Sequence, residues 1–150
     1  MMNQVLRKAT LADAGQLLEW RNDDGTRNNS NSTGLVSLDA HLAWLTKSLA
    51  DTGCRFYIME VNKEAVGTIR DNLVQTEGCT KQYLSWTIAP VCRGKGYGTE
   101  MLHMFLKENK GCFYAEIKPF NQSSIKMVEQ NQFVLLGKAG ENLVYTRIVT

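Results

Sequence analysis

Apolar and polar positions along the 150-residue chain change period several times, and each change marks an element. Residues Tyr83 to Ala89 alternate and place Trp86, Thr87 and Ile88 together, residue types that suit a pleated surface, so they read as a strand. Pro90, with no N–H to give a neighbour, ends it. Tyr97, Met101, Leu102, Phe105 and Leu106 then recur at helical spacing. Upstream, Gln4 to Thr10 predicts a first strand. Thr10 and Asp13 then open a helix with the stripe Leu11, Ala14, Leu17 and Leu18, ending near Asn22 and Asp23. Asp24 to Gly34 is polar throughout and reads as a long loop. Ser37 caps a second helix that turns Leu38, Leu42, Leu45 and Leu49 inward. Cys54–Val61 and Ala65–Arg70 form antiparallel strands about Asn62-Lys63-Glu64, and Asp71 to Thr80 is a connection. Cys112–Lys118 is a strand reached through the Tyr97 helix, hence parallel to Tyr83–Ala89. Asn121 caps a short helix to Gln132, and Phe133–Lys138 with Asn142–Val149 make a hairpin about Gly140.

The junction Arg93-Gly94-Lys95-Gly96-Tyr97-Gly98, between a strand and a helix, carries the chemistry. Glycines at alternate positions let the backbone turn tightly and let a ligand reach the main chain without meeting a Cβ. The free N–H groups and positive dipole end of the next helix face that space, and Arg93 and Lys95 add charge, so a phosphate or pyrophosphate is the expected guest. A P-loop is excluded because Gly98 is followed by Thr99-Glu100 where Lys-Ser or Lys-Thr is needed. The dinucleotide pattern G-x-G-x-x-G is missed by one residue, although Glu116 stands near the place of its acidic partner.

Composition narrows the classes. A hydrophobic fraction of 43% with 21% charged residues is ordinary for one globular domain, taken as residues 1–150. A formal charge of +2 argues against a nucleic-acid binder. No run is long enough to span a membrane, and the N-terminal residues lack a signal-peptide pattern, so a cytoplasmic protein without membrane partners is expected. Cys54, Cys79, Cys92 and Cys112 are scattered with no CxxC, which speaks against a disulfide framework or a metal site. Cys92 adjoins the glycine loop, where a helix dipole stabilises a thiolate, but a small residue closing a strand suffices to explain it.

The segment R-x-x-G-x-G, filled by Arg93, Gly96 and Gly98, resembles the acetyl-coenzyme A loop of the Gcn5-related N-acetyltransferase (GNAT) superfamily. The element order matches that family along nearly the whole chain. The resemblance implies an α+β fold: a mixed sheet of about seven strands with a splayed parallel pair, and about four helices. It implies acetyl-coenzyme A as cofactor, with Arg93, Gly94, Lys95, Gly96, Tyr97 and Gly98 at its pyrophosphate. The backbones of Thr87, Ile88 and Ala89 would pair with its pantetheine arm and supply an oxyanion donor. The family's second landmark, N-x-x-A/S-I, then tyrosine and Gly-Phe, is met by Asn121, Ser124, Ile125 and Phe133, and the resemblance implies that Asn121 and Ser124 contact the cofactor. Val128 stands at the tyrosine position and Gln132 at the glycine position. The acid that protonates the leaving thiolate then falls to Ser124, to a water, or to no group.

Glu19-Trp20-Arg21-Asn22, a polar loop and Ser37-Leu38-x-x-His41-Leu42 resemble two GNAT subgroups. One is the UDP-amino-sugar N-acetyltransferases of pseudaminic acid synthesis, acting on a 4-amine; the other, sharing the Arg-Asn pair, acetylates ribosomal-protein N-termini. The first implies a small-molecule, nucleotide-linked amino sugar as acceptor, bound by Arg21, Asn22, His41 and Trp86. Glu116 and His41 are the candidate bases. A peptide amine as acceptor, or a domain that binds acetyl-coenzyme A without turnover, are the alternatives. The protomer is expected as a monomer or homodimer.

Overall fold

The computed structural model describes residues 3–76 and 78–150. Seven strands form one sheet: β1 (Gln4–Lys8), β2 (Cys54–Val61), β3 (Glu64–Thr76), β4 (Cys79–Ile88), β5 (Gly111–Ile117), β6 (Val134–Ala139) and β7 (Asn142–Val149), in the order β1-β2-β3-β4-β5-β7-β6. Only β4 and β5 run parallel; the other neighbours are antiparallel. The helices are α1 (Ala14–Asn22), α2 (Asp24–Asn28), α3 (Leu38–Ala50), α4 (Tyr97–Glu108) and α5 (Gln122–Gln130). The mixed seven-stranded sheet with its parallel pair is the fold expected from sequence, with one helix more.

The extra helix is α2, inside the stretch read as a loop. The Asp23 carboxylate accepts the Thr26 N–H at 3.2 Å, and that cap holds a single turn and a half in place. The connection expected at Asp71 to Thr80 is instead a continuation of β3 and β4 into a long hairpin. Asp71 stays in the strand because its carboxylate, almost wholly buried, is gripped by Arg55 opposite it on β2, with Nε of Arg55 at 3.0 and 3.1 Å. A buried carboxylate with such a partner does not end a strand, whereas an unpaired one would. Helix α3 is capped by Ser37 as expected, but it is rotated. His41 and Leu45 are buried and Leu49 packs beside them, while Leu38 and Leu42 are 53% and 36% exposed.

Two cores lie on opposite faces of the sheet. On one, α4 sends Met101, Leu102, Phe105 and Leu106 against Met59, Ile69, Phe113 and Ala115, and Met127 and Val128 of α5 join them. On the other, Leu17 and Trp20 of α1 and Leu45 of α3 pack on Phe56 and Ile58. Opposed residues of a ladder share a face. Phe56, Arg70 and Ser85 therefore point to the α1–α3 side, as do Tyr83 and Tyr114, whose rings lie 5.7 Å apart. Glu116, two residues beyond Tyr114, points the same way.

The parallel pair is registered only at Gln82↔Phe113 and Tyr83↔Tyr114. Gln82 fixes that end: its Oε1 accepts the Cys112 N–H at 3.1 Å and its Nε2 donates to Asp71 at 3.1 Å. Beyond Tyr83 the strands part, leaving a gap between the ends of β4 and β5. After α5 the chain turns through Gln132, a non-glycine residue at φ +66° where the family pattern has glycine. An L-residue there carries a cost of roughly 1–2 kcal/mol.

Candidate active site

A cavity of about 830 Å³ runs through the gap and opens on both faces of the sheet. On the α4–α5 side it is lined by Gly94, Gly96, Tyr97, Gly98, Asn121 and Ser124. On the α1–α3 side it is lined by Arg21, His41, Trp44, Arg70, Ser85 and Glu116.

The glycine loop has the geometry its sequence predicts. Gly94 and Gly96 sit at φ +77° and +82°, and a Cβ on either would meet no atom within 4 Å. Glycine is needed there for the backbone, and the space beside it is open. Gly98 serves packing: a Cβ would stand 2.9 Å from Met127 Sδ, so α5 closes on α4 through this residue. The two basic residues are placed differently from expectation. The Arg93 guanidinium pairs with Asp23 at 3.0 Å, donates to Thr26 Oγ1 at 2.9 Å, and through Nε donates to the Ile88 carbonyl at 3.2 Å. It braces α2 against the loop, so its charge is already partnered. Lys95 lies away from the main cavity, beside a small depression with Val61 and Glu64.

Strand β4 presents main-chain groups to the gap in a fixed phase. Ala89 N–H donates to the Val66 carbonyl at 2.8 Å, and an antiparallel ladder alternates. Ser85, Thr87 and Ala89 therefore turn their N–H and C=O to β3, while Trp86 and Ile88 turn theirs to the gap. The phase turns the N–H and C=O of Thr87 and Ala89, the expected pairing groups, to β3, and leaves those of Ile88 and Trp86 on the gap side, where the Ile88 carbonyl already accepts from Arg93.

Ser124 occupies the centre of a small network. Its Oγ accepts from Trp86 Nε1 and from Asn121 Nδ2, both at 3.0 Å, while Asn121 Oδ1 caps α5 through the Ser124 N–H at 3.2 Å. An indole N–H and an amide N–H can only donate, so both lone pairs of the hydroxyl are filled and its proton is left to donate. Trp86, expected at the acceptor, thus stands on the α5 side with Ser124. Val128, at the tyrosine position, is fully buried and brings no hydroxyl.

On the acceptor side, Glu116 is exposed at the edge of the gap. Asn22 spends both ends of its amide on the Val36 backbone, at 2.8 and 2.9 Å, and so anchors the loop; it offers little to a substrate. Arg21 donates through Nη2 to the Ser32 carbonyl at 2.9 Å, and its Nη1 is buried with no partner. His41 is 3% exposed, its ring tilted 37° to that of Trp44 with centroids 5.5 Å apart, and its Nε2 is buried and, among the described residues, without a hydrogen-bond partner. The imidazole lines the cavity but is almost wholly enclosed, so it offers an acceptor little surface as a base. Sequence reading missed Arg70 and Trp44, in cation–π contact at 5.0 Å on the cavity wall.

Burial holds the His41 pKa below its ordinary value; a hydrogen bond to the Ala14 backbone opposes this and the Arg21 charge adds to it. The unfolded chain then binds a proton that the folded chain resists, so stability rises with pH in the window below about 6.5. The melting temperature is expected to fall as pH drops from about 6.5 towards the lower folded-state value, and to fall less in His41→Gln. Parallel melting-temperature profiles for the two proteins would rule this out.

The sequence pattern of the acetyltransferase (GNAT) domain matches residues 4–134. The chain belongs to the GNAT family and is an acetyl-coenzyme A-dependent N-acetyltransferase. No curated protein matches its sequence. Among solved structures it is similar to a ribosomal-protein-alanine N-acetyltransferase from Brucella melitensis, at 23% identity and TM-score 0.78, over 96% of this chain and 99% of that one. An N-acetyltransferase from Staphylococcus aureus superposes at TM-score 0.80 with 16% identity, over 99% of each chain. An aminoglycoside acetyltransferase in complex with coenzyme A superposes at 0.77 with 18% identity, over 97% of this chain and 95% of that one. The open cradle at Gly94 and Gly96 and the main-chain groups facing the gap fit the family's cofactor.

Proposed function

We propose that this chain acetylates the amine of a nucleotide-linked amino sugar, in the first instance the 4-amine of a UDP-linked dideoxy sugar. The observation that carries the reading is the continuous cavity that joins the glycine loop, through the gap, to a chamber on the α1–α3 side with Glu116 at its edge. Asn29, Ser30, Asn31, Ser85 and Thr87 on the chamber wall suit hydroxyls, and the Arg21 to His41 segment resembles the nucleotide-sugar subgroup.

Acetyl-coenzyme A, when bound, supplies the acetyl group as a thioester. The N–H groups around Gly94 to Gly98, at the start of α4, would hold its pyrophosphate, and the main chain of Trp86 and Ile88 its arm. A gap-facing N–H of β4 would donate to the thioester oxygen and stabilise the charge that builds on it. Glu116 takes a proton from the attacking amine, directly or through one water. A sugar amine flanked by electron-withdrawing oxygens is less basic than an alkylamine, so a modest base suffices. Ser124, whose O–H is left to donate, would offer that proton to the departing thiolate.

Thiol release measured with a UDP-linked 4-amino sugar, the free amino sugar, an aminoglycoside and N-terminal peptides tests the reading. Turnover of the UDP sugar well above the rest is expected. Preferred turnover of peptides would replace it with a protein N-terminal acceptor.

A further inference from the structure

Six charged side chains line the cavity, and five of them, Arg21, Arg70, Arg93, Lys118 and Lys126, are basic; Glu116 alone is acidic. Arg93 is spent on Asp23, and Lys118 donates to the Asn28 carbonyl at 2.9 Å. Arg70 is different. Among the described residues it has neither an ion pair nor a hydrogen bond, and the half-buried side chain lays its guanidinium over the face of Trp44, with the guanidinium carbon 5.0 Å from the ring centroid. Its position in the middle of β3, between Phe56 and Ser85, points the side chain to the α1–α3 face, where it lines the cavity. Burial pushes the Arg70 pKa below the ordinary arginine value; the Cys54 thiol opposes the shift and the like charge of Arg21 adds to it.

Taking even part of a guanidinium out of water without a hydrogen-bonding partner costs free energy, and an aromatic face returns only some of it. A second cation nearby adds repulsion, and Arg21 Nη1 is itself buried without a partner. An oxyanion between the two would satisfy both, and the planar donor fork of arginine matches phosphate and carboxylate oxygens. We propose that Arg70, with Arg21 beside it, docks an oxyanion of the acceptor, a phosphate or a carboxylate, under Trp44 on the α1–α3 face. Arg70 lies opposite Ser85, one strand spacing from the main chain that borders the gap, and it lines the same cavity as Glu116. The inference rests on the acceptor side assigned above, but it holds for any anionic acceptor and disfavours polycations, which would meet like charge.

The test uses protein saturated with coenzyme A, so that added anions find the glycine loop occupied. UDP, inorganic pyrophosphate and acetate are titrated by calorimetry into the wild type, Arg70→Lys and Arg70→Gln. At least one anion is expected to bind the wild type, about ten-fold or more weaker in Arg70→Gln, with an intermediate loss in Arg70→Lys. The thermal shift given by coenzyme A alone should persist in both variants, which shows that they fold. Binding by pyrophosphate or acetate but not UDP upholds the subsite and discards the nucleotide. Equal UDP binding in wild type and Arg70→Gln leaves the nucleotide and overturns the subsite, as does the absence of binding by all three anions. With a phosphorylated acceptor and its dephosphorylated counterpart, Arg70→Gln should raise KM for the first only. A rise for both would mean that Arg70 merely holds Trp44 in place.

Discussion

Acetyl-coenzyme A should raise the melting temperature of the wild-type chain and leave that of Gly96→Asn unchanged. A ligand that binds only the folded state stabilises it by about 2.7 kcal/mol at a hundred times its dissociation constant. For a chain of this size that is a rise of roughly 5–10 °C. Gly96 lies at φ +82° beside open space, so any side chain there enters the room the pyrophosphate needs. Asparagine tolerates the left-handed region better than other side chains do, so the unliganded melting temperature should change little. Gly96→Val is the harsher variant. A β-branched residue at positive φ is strained, so it should lose stability without ligand as well as the shift. A full shift retained by Gly96→Asn would remove the loop from the cofactor site.

The loop was legible because its signal is local: glycine spacing, proline before it and an apolar helical stripe after it. The order of strands was legible for the same reason. What the sequence concealed depends on partners far along the chain. Arg93 reads as a phosphate ligand until the fold brings Asp23 to 3.0 Å from it. Asp71 reads as the end of a strand until Arg55 is placed opposite. The phase of β4, which decides whether Thr87 or Trp86 faces the gap, follows from one hydrogen bond between Ala89 and Val66. Side-chain alternation does not reveal it. Arg70 was invisible as a site residue, since a polar residue in an alternating strand ordinarily faces water. Only the placement of Trp44 over it, by a helix that the leucine pattern misoriented, turns it into a cavity residue.

Ser124→Ala should lower kcat by about ten- to a hundred-fold, at the low end of proton-donor effects because a thiol leaves more easily than an alcohol. Coenzyme A affinity should stay near its original value, since the loop and the main chain of β4 are untouched. With Trp86 Nε1 and Asn121 Nδ2 both donating to Oγ at 3.0 Å, the O–H has no other role than to donate into the cavity. The two incoming donors also favour partial negative charge on the oxygen, which makes the hydroxyl a better acid than an isolated serine. Removing Oγ leaves both donors without an acceptor, so Ser124→Ala should also lose about 1–3 kcal/mol of stability. Trp86→Phe separates the two effects. It removes one donor but keeps the hydroxyl, so its kcat should fall less than that of Ser124→Ala. Single-turnover acetyl transfer at saturating cofactor is the measurement. A wild-type rate in Ser124→Ala would pass the proton to a water held in the same gap.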